Sequence, residues 1–517
     1  MKGENRMKSR DQQLLEDKKH LNRYGYAQEL LRDMGGFSNF AISFSIISIL
    51  TGAVSLYGHG LTYGGPGMMG FGWTIVAFFV MLVAASLSEL ASAIPTAGAL
   101  YHWAAALKGT RIGWYTAWIN LIGQIGIVAG IDYSVALFAD PLLAGIFNYQ
   151  STDTTTLIVF GVVLLLHGIL NHIGIKIVAK LNDFSAWYHM AVVAILVVSL
   201  AFFTKHGLQP IDYLFHVGQT FSDKPYFLAF LIGLLQAQWT FTGYDASAHT
   251  IEETVHPRVR APWGIFNSVA FSFVFGFIML AFVTLSIHDA NGAVNSDNAF
   301  IFVISKALGG TFGNIVLWLV TFAMFFCGLS SITSFSRMMY AFSRDNGMPL
   351  SRHWAEISRK FRTPAKAIWL AVILSFILAL IDYITKLVNP NAGYSTIAFL
   401  TAVSVVGLYV AYGIPIYLKL RAESKGLFLP KHYGPWALGK WSKPINVISL
   451  IWIVFICVIM VIPPNQMAAY ALIGMFVVLV IMDLAYYKKH FKGPQAALEK
   501  SVDEIRRLED EFEHEKE

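Results

Sequence analysis

The sequence contains little cysteine and little charge, and it has no apolar segment near its start. Only two of its 517 residues are cysteine, and both lie inside apolar runs, which argues against a disulfide framework or a metal cluster. Residues 1–35 are charged and polar, so we expect no cleavable signal peptide and expect the first membrane span to direct insertion. We also find no nucleophile–base pair and no metal-ligand spacing. These absences predict a protein that is not an enzyme and that holds no cofactor and no metal.

Long apolar runs dominate what is present. Hydrophobic residues make up 56% of the chain and charged residues 14%, and the mean hydropathy is +0.55. The runs are repeatedly about 20 residues long, which is enough to cross ~30 Å of hydrocarbon. We therefore predict an all-α polytopic membrane protein surrounded by lipid. Its twelve transmembrane helices are expected at residues 37–62, 70–94, 112–146, 155–174, 184–204, 227–250, 262–287, 312–342, 364–384, 393–418, 445–462 and 467–487.

Basic residues concentrate in every second loop between these predicted spans. Clusters such as Arg258 with Arg260 and Arg344 with Arg352 fall on the side of the N-terminus, whereas the other loops contain few Lys or Arg. Because basic loops stay in the cytoplasm, we expect both termini to be cytoplasmic and the protein to lie in the inner or plasma membrane. The same distribution accounts for the formal charge of +6, so we expect no nucleic-acid partner.

The predicted sixth span contains a break beside an acidic residue. Its apolar run is interrupted by Thr240-Phe-Thr-Gly243, and Tyr244 and Asp245 follow at once. A carboxylate at that depth is costly unless it faces protein or water, and a glycine break is tolerated where the freed backbone groups find partners, as in a cavity. The stretch therefore suggests a ligand site. A packed kink with Asp245 in a buried ion pair is the alternative.

The predicted first span is interrupted in a similar way. Small and hydroxylated residues recur from Ser43 to Ser55, and a Gly-rich segment follows up to Pro66. Such residues are also ordinary helix-packing material in membranes. However, the interrupted spans are the first and the sixth, so each of them begins a set of five spans. Because five is an odd number, the second set crosses the membrane in the opposite orientation to the first. Paired breaks at matching positions indicate an inverted-repeat transporter.

Three ordered motifs point to a known family. They are Glu89-Leu-x-Ser-Ala-x-Pro-Thr-Ala-Gly98 with Tyr101, Phe241-x-Gly243-Tyr-Asp245 leading to Glu253-Thr-Val-His-Pro257-Arg258, and Ser336-Arg337-Met-Met-Tyr340 with Arg344-Asp345-x-Gly347-x-Pro349. In this order and spacing, over residues 25–490, the chain resembles the amino acid–polyamine–organocation (APC) superfamily. The segment Tyr57-Gly-x-Gly60 with Gly64-Gly-Pro66 is similar to the amino acid/choline transporter branch, which includes γ-aminobutyrate and choline permeases.

The resemblance implies a LeuT-like fold of two inverted five-helix repeats (5+5). It implies a cytoplasmic N-terminal segment at residues 1–36, repeats at 37–204 and 227–418, two further spans at 445–487 and a charged cytoplasmic tail at 488–517. Substrate is expected between the breaks of spans one and six, where N–H groups suit a carboxylate and carbonyl oxygens suit an ammonium group. The residues implied to bind it are Ser48, Thr51, Gly52, Ala53, Trp239, Phe241, Thr242, Gly243, Tyr244 and Asp245.

Two departures from the family pattern refine this expectation. The run at residues 51–53, Thr-Gly-Ala, stands where relatives commonly have a Gly-Ser-Gly type run, and Asp245 adds a full charge. Both favour a substrate with a prominent positive charge, such as an amine, a γ-amino acid or a quaternary ammonium compound. Either an aromatic wall for that cation or interhelical packing explains Trp239, Phe241 and Tyr244.

The resemblance also indicates where a coupling ion binds. Some proton-coupled relatives place a lysine in span five at a set distance after a Gly-x-Lys turn, and counting from Gly174-Ile-Lys176 puts His189 there. Histidine titrates near physiological pH and can release and rebind a proton; a satisfied buried histidine is the alternative. Sodium is the other candidate ion, because hard cations favour oxygen ligands. Its ligands besides first-span carbonyls are expected to be Ser330, Ser331 and Ser334.

Together these features predict a secondary transporter of a small amine-bearing metabolite, such as an amino acid or γ-aminobutyrate. We expect alternating access with a proton as the coupling ion. Choline or polyamine uptake and the exchange of one amine for another are the alternatives within this class. A membrane-embedded ligand sensor is the alternative from another class.

Overall fold

Helices build the framework of the chain. The computed structural model describes residues 10–173, 175–389, 395–428, 430–487 and 490–494, so most of the predicted tail at 488–517 and residues 1–9 lie outside it. Within these ranges, eleven helices are long and apolar enough to cross a membrane. The α-helices are α1 Arg10–Asn22, α2 Gly36–Ile47, α3 Gly52–Ser55, α4 Tyr57–Gly64, α5 Trp73–Ala93, α6 Leu100–Lys108, α7 Thr110–Phe147, α8 Asp153–Ile173, α9 Ile175–Phe203, α10 Tyr226–Gly233, α11 Leu235–Thr240, α12 Ala246–His249, α13 Pro257–Leu285, α14 Ala290–Val294, α15 Ala299–Leu308, α16 Gly310–Arg344, α17 Ser351–Trp354, α18 Ala365–Val388, α19 Thr396–Ser424, α20 Ser442–Ile459 and α21 Gln466–Met482.

Every predicted span except the sixth coincides with one of the eleven long apolar helices. The fifth begins earlier than predicted, because polar residues continue the helix: α9 starts at Ile175, and Asn182 and Asp183 lie within it. Both of these side chains have partners on neighbouring helices. Ser330 donates to Asn182 (2.7 Å), and Ser38 donates to Asp183 (2.9 Å). Hydrogen bonds to neighbouring helices therefore let polar residues lie inside this helix.

The predicted sixth span, residues 227–250, is not one continuous helix. It consists of α10, α11 and α12, and residues 241–245 separate the last two. Gly243 has a φ of +80°, a left-handed conformation that glycine adopts readily because it has no Cβ. A Cβ at this position would also lie 2.3 Å from Cγ2 of Ile46. The predicted sixth span is therefore a broken segment and not one long helix.

The first predicted span is interrupted as well. Its first helix, α2, ends at Ile47, and Ser48 follows in the left-handed region with a φ of 30°. The chain then resumes as α3 and α4. Because α3 packs against α11, the two interrupted segments lie side by side with their breaks close together.

Long helices surround these two segments. The helix α13 packs against α2 and α5, α16 packs against α2, α7 and α9, and α7 packs along α19. The contact between α7 and α19 is very close, since a Cβ on Gly407 would lie 2.8 Å from Cα of Gly123. Small residues permit such an approach between membrane helices. As a result, the two breaks are buried at the centre of the bundle.

The two ends of the bundle differ. One end, named the N-terminal face, carries α1, residues 23–35, residues 251–258 and the end of α16. Arg32 donates to the carbonyl oxygen of Thr254 (2.6 Å), and Met34 forms a short β-bridge with Thr254, so this segment covers the N-terminal face. The opposite end contains a cavity of about 1010 Å³, lined among others by Tyr133 and Lys386. The bundle is therefore closed at one end and hollow at the other.

Candidate functional site

A narrow cavity lies where the two breaks meet, and in this conformation it is too small to hold a water molecule. Its walls come from the first span, from the broken sixth segment and from α7. The lining residues are Ile46, Ile47, Thr51, Gly52, Ile127, Ile131, Trp239 and Thr242. Four isoleucines make much of the wall apolar, and none of the lining side chains is charged. Polar recognition in this cavity therefore depends on main-chain groups, two hydroxyls and an indole.

The first break leaves backbone donors without partners. The N–H groups of Thr51 and Gly52 both donate to the carbonyl oxygen of Ser48 (2.7 and 2.9 Å). Between them and Ser48 lie Ile49 and Leu50, whose N–H groups make no backbone hydrogen bond within the part of the chain that the structure describes. Unpaired N–H groups carry a partial positive charge, and a carboxylate or another anionic group is suited to them.

The second break holds its own polar groups in defined positions. Thr242 Oγ1 donates to the carbonyl oxygen of Trp239 (2.6 Å), and Tyr409 OH donates to that of Phe241 (2.7 Å). Trp239 is buried, and its Nε1–H has no hydrogen-bond partner among the described residues. A buried donor without a partner is unfavourable, so the indole N–H beside this cavity is suited to an acceptor on a ligand.

The structure brings four of the ten predicted binding residues to the cavity wall: Thr51, Gly52, Trp239 and Thr242. The aromatic residues Phe241 and Tyr244 lie behind it. Phe241 packs on Trp73, with ring centroids 4.6 Å apart, and Tyr244 packs on Tyr412, with centroids 5.2 Å apart. Interhelical packing therefore accounts for these two rings in this conformation. The other predicted residues one layer behind the wall are Ser48, Ala53, Gly243 and Asp245.

Both carboxylate oxygens of Asp245 have partners away from the cavity. Tyr412 OH donates to Oδ1 (2.7 Å), and Nε2 of His249 lies 3.1 Å from Oδ2. All three side chains are fully buried. The sequence analysis named Asp245 but missed its two partners. The spacing of Asp245 and His249, one helical turn apart, was a usable signal. Tyr412 lies 167 residues further along the chain, so only the packing of α19 brings it here.

His189 lies directly behind the first break. Its Nε2 is 2.8 Å from Oγ of Ser48, and its Nδ1 is 2.8 Å from the carbonyl oxygen of Ser185. Ser48 Oγ also contacts Oγ1 of Thr51 at 2.7 Å. A chain of hydrogen bonds therefore joins His189 to the wall of the cavity.

The three predicted serines of α16 are buried near α9. Ser330 donates to Asn182, Ser331 donates to a carbonyl oxygen of its own helix (2.8 Å), and Ser334 Oγ has no partner within the described ranges. A different α16 residue reaches the first break. Cys327 Sγ lies 3.3 Å from the carbonyl oxygen of Ile46.

Comparison with known proteins identifies the family of this chain. Residues 34–482 match the family model described as amino acid permease. The chain belongs to the amino acid permease family. It is 35% identical to the amino-acid permease BAT1 of Arabidopsis thaliana, over 86% of this chain and 88% of that protein. It is 33% identical to the BAT1 homolog of Oryza sativa subsp. japonica, over 92% and 94%. It is 29% identical to the GABA-specific permease of Saccharomyces cerevisiae, over 93% and 86%.

Membership of this family confirms the resemblance and the class of function. This permease is a multi-pass membrane transporter of amino acids and not an enzyme. The family implies the APC-type, LeuT-like fold, in which interrupted helices meet at the middle of the bundle.

A buried ion pair closes the N-terminal face of the permease. Arg344 donates two hydrogen bonds to Glu252 (3.0 and 2.9 Å), and both side chains are buried. Burial raises the pKa of the Glu252 carboxyl, but the Arg344 guanidinium and the N–H of Ala97 favour the ionised form and bring its pKa below the ordinary value. The carboxylate is therefore held in its charged form at the N-terminal face.

Asp345 makes a second buried contact at the same face. Tyr26 OH donates to Oδ2 (2.8 Å), Tyr101 OH donates to the same oxygen, and Nε2 of His102 lies 3.1 Å away. Burial raises the pKa of Asp345, whereas the hydrogen bond and charge of His102 and the charge of Arg344 lower it, and the net pKa lies below the ordinary value. Residues from three parts of the chain thus meet at one carboxylate.

Proposed function

We propose that this permease takes up a small zwitterionic amino acid, of the α- or γ-amino type, together with a proton. The observation that carries the proposal is the cavity between the breaks, whose lining has no charged side chain. Two backbone N–H groups without a backbone partner directly precede its lining residues Thr51 and Gly52 in the chain. A zwitterion brings opposite charges of its own, so oriented peptide dipoles satisfy it without a counter-charge from a side chain.

The two ends of the substrate would bind to the two breaks. Its carboxylate faces the N–H groups of Ile49 and Leu50, with the Trp239 indole as a further donor, and its ammonium group faces carbonyl oxygens of residues 240–243. The four isoleucines contact the carbon chain between these groups. Such a site, with an apolar wall and few convergent polar groups, is typical of small-molecule recognition.

The uncharged lining favours an amino acid over choline or a polyamine. A cation without a carboxylate leaves the unpaired N–H groups unused and calls for a negative side chain, and the nearby Asp245 is occupied by Tyr412 and His249. Asp245 lies one layer behind the wall and does not line the cavity. Two of the similar relatives are named amino-acid permeases and one a GABA-specific permease. Neutral α-amino acids and γ-aminobutyrate are therefore the first compounds to test.

We propose the following orientation for this permease. The broken sixth segment is one of twelve membrane crossings. Residues 37–204 and 227–418 form the inverted repeats. The protein lies in the inner or plasma membrane with both termini in the cytoplasm. The loops rich in Arg and Lys support this orientation. The cavity of about 1010 Å³ then faces the outside, and the closed N-terminal face lies inside. This conformation is suited to admitting substrate from outside.

Buried histidines near the breaks support a proton over sodium as the coupling ion. His189 contacts the first break through Ser48, so a change in its protonation would alter hydrogen bonds at the cavity wall. The alternative set for sodium keeps its oxygen lone pairs, because Ser330 and Ser331 donate only their hydroxyl hydrogens. The dependence of uptake on sodium therefore has to be measured beside the dependence on the proton gradient.

The test is uptake by purified permease in liposomes. Labelled γ-aminobutyrate and a panel of labelled neutral α-amino acids are supplied with and without an inward proton gradient, and empty liposomes are the control. We expect accumulation of at least one amino acid that depends on the gradient. Uptake only into vesicles preloaded with an amino acid would show an exchanger, and dependence on sodium would assign the other ion. Binding without any uptake would show a sensor.

A further inference from the structure

Three buried histidines lie near the centre of the bundle, and their hydrogen bonds require different numbers of protons. His167, His189 and His249 are all fully buried. A ring nitrogen that faces a carbonyl or carboxylate oxygen must carry a hydrogen, whereas one that faces a hydroxyl can accept. The partners of each ring therefore show whether the neutral imidazole satisfies its surroundings.

Neutral rings are enough for the contacts that His189 and His167 make. Nδ1–H of His189 donates to the carbonyl oxygen of Ser185, and its Nε2 accepts from the Ser48 hydroxyl. His167 makes one such contact, with Nδ1 3.1 Å from Oδ2 of Asp132, and its Nε2 has no partner among the described residues. One hydrogen on each ring is enough in both cases.

His249 differs, because both of its nitrogens face oxygen acceptors. Nδ1 lies 3.1 Å from the carbonyl oxygen of Ala97, and Nε2 lies 3.1 Å from Oδ2 of Asp245. The neutral ring has one hydrogen, which serves one of these contacts. The other contact would then oppose a nitrogen lone pair to an oxygen lone pair. Both contacts are satisfied together only when the pair Asp245–His249 holds one additional proton, on Oδ2 or on Nε2.

We propose that the pair Asp245–His249 is the site that binds the coupling proton, and this proposal rests on the proposed proton-driven uptake. Loading adds one proton to the hydrogen bond between Oδ2 and Nε2 and changes the buried pair from a net charge of −1 to neutral. No other bond is formed or broken. A buried charge is unfavourable in a membrane protein interior, so loss of the proton strains this region.

The pair lies between the substrate break and the closed N-terminal face. Towards the break, Tyr412 OH donates to Asp245 and lies 3.4 Å from the backbone nitrogen of Gly243. Towards the face, Nδ1 of His249 contacts the carbonyl oxygen of Ala97. The backbone N–H of Ala97 in turn donates to Glu252 (3.0 Å). Protonation of the pair therefore affects both ends of one hydrogen-bonded connection. By linkage, proton loading and the closed N-terminal face favour each other.

Few other charges act on the pair. The neighbouring α7 contributes Asn120, whose Nδ2 lies 3.4 Å from Nε2 of His249 and carries no charge. The ordinary pKa of tyrosine is about 10, so tyrosines stay neutral where histidine titrates. Beyond Ala97, the two ion pairs of the N-terminal face carry no net charge, and the Asp345 carboxyl of that face contacts His102. The ionisable groups concerned are Tyr244, Tyr409, Tyr412, Glu252 with Arg344, and Glu253 with Arg337.

The experiment compares variants in the same liposomes, with labelled γ-aminobutyrate or with the α-amino acid that the wild type accumulates instead. A gradient of about one pH unit drives at most about tenfold accumulation at one proton per substrate, since it stores ~1.4 kcal/mol. We expect His249→Gln and Asp245→Asn each to lose this accumulation, and their remaining uptake no longer to differ between about pH 5.5 and about pH 7.5. His167→Gln alters the other buried Asp–His pair and is the matched control, expected to accumulate as the wild type does.

Several results would overturn the proposal. The proposal is wrong if both His249→Gln and Asp245→Asn still accumulate substrate with the gradient. It is also wrong if His189→Gln loses this accumulation while His249→Gln keeps it. A second measurement needs only wild-type protein and a pH-sensitive dye inside the vesicles. We expect the interior to become more acidic when substrate enters, and no acidification would also contradict the proposal. If the wild type takes up no amino acid by gradient or by exchange, the proposed function fails. Uptake by the wild type without proton entry contradicts the proton site and the proton coupling, and leaves the transport of an amino acid in place.

Discussion

Gly52 in the first break is in direct contact with Thr240 in the broken sixth segment. A Cβ on Gly52 would lie 2.6 Å from Cα of Thr240 and 2.6 Å from its Oγ1. The Cα atom is part of the backbone of α11, so it cannot turn aside as a side chain does. The two segments that line the cavity are therefore held together by an approach that only glycine permits.

We expect Gly52→Ala to separate the two breaks and to reduce uptake about tenfold, because overpacking of this kind costs about 1–3 kcal/mol. Initial uptake rates in liposomes measure the effect. Gly145→Ala is the matched control, since a Cβ at Gly145 in α7 meets nothing within 4 Å. Wild-type uptake by Gly52→Ala would show that the close contact is not needed for transport.

Trp239→Phe removes the unpaired indole N–H and keeps an aromatic ring at the cavity. One hydrogen bond contributes about 0.5–1.5 kcal/mol, so we expect the apparent KM to rise by about 2- to 10-fold. Trp263→Phe is the control, because Trp263 is 48% exposed on the outer surface of α13. Equal KM values for wild type and Trp239→Phe would remove the indole from the list of substrate contacts.

Glu252→Gln leaves Arg344 buried at the N-terminal face without its counter-charge. Breaking one side of a buried pair costs about 3–5 kcal/mol, so we expect a lower Tm and faster hydrogen exchange in residues 23–35, which cover this face. Glu356→Gln is the control. It removes a carboxylate from an ion pair with Lys366 that is largely exposed, and such pairs contribute about 0–1 kcal/mol. Similar effects of the two substitutions would contradict the closing role of Glu252.

The pH dependence of the Glu252 contribution follows from its lowered pKa. A carboxyl whose pKa is lowered on folding stabilises the fold above its unfolded pKa of about 4.3, and this stability is lost as the pH falls through the lower folded value. The difference in Tm between wild type and Glu252→Gln is therefore expected to be constant from about pH 5.5 to pH 8 and to shrink only in stronger acid. A difference that changes steeply near neutral pH would require another titrating group in this contact.

Local sequence signals predicted the spans and the breaks well. Ten apolar runs became uninterrupted spans, and the first and the sixth became the two interrupted segments that had been read from the sequence. The spans and breaks depend on hydropathy and on backbone preferences, which are properties of neighbouring residues. The position of His189 came instead from the resemblance to proton-coupled relatives, by counting from Gly174-Ile-Lys176. The assignment of individual contacts was less complete, because Asp245 was recognised without Tyr412 or His249.

The sequence by itself determined that this chain crosses a membrane many times, where two helices are interrupted and which family it belongs to, because apolar length and glycine breaks act locally along the chain. Only the tertiary structure decided which groups face the cavity and which face one another. Ser48 meets His189 across 141 residues, and Asp245 meets Tyr412 across 167. Such contacts arise from the packing of whole helices, and at the centre of the bundle that packing directs Asp245 to His249 and leaves the cavity uncharged.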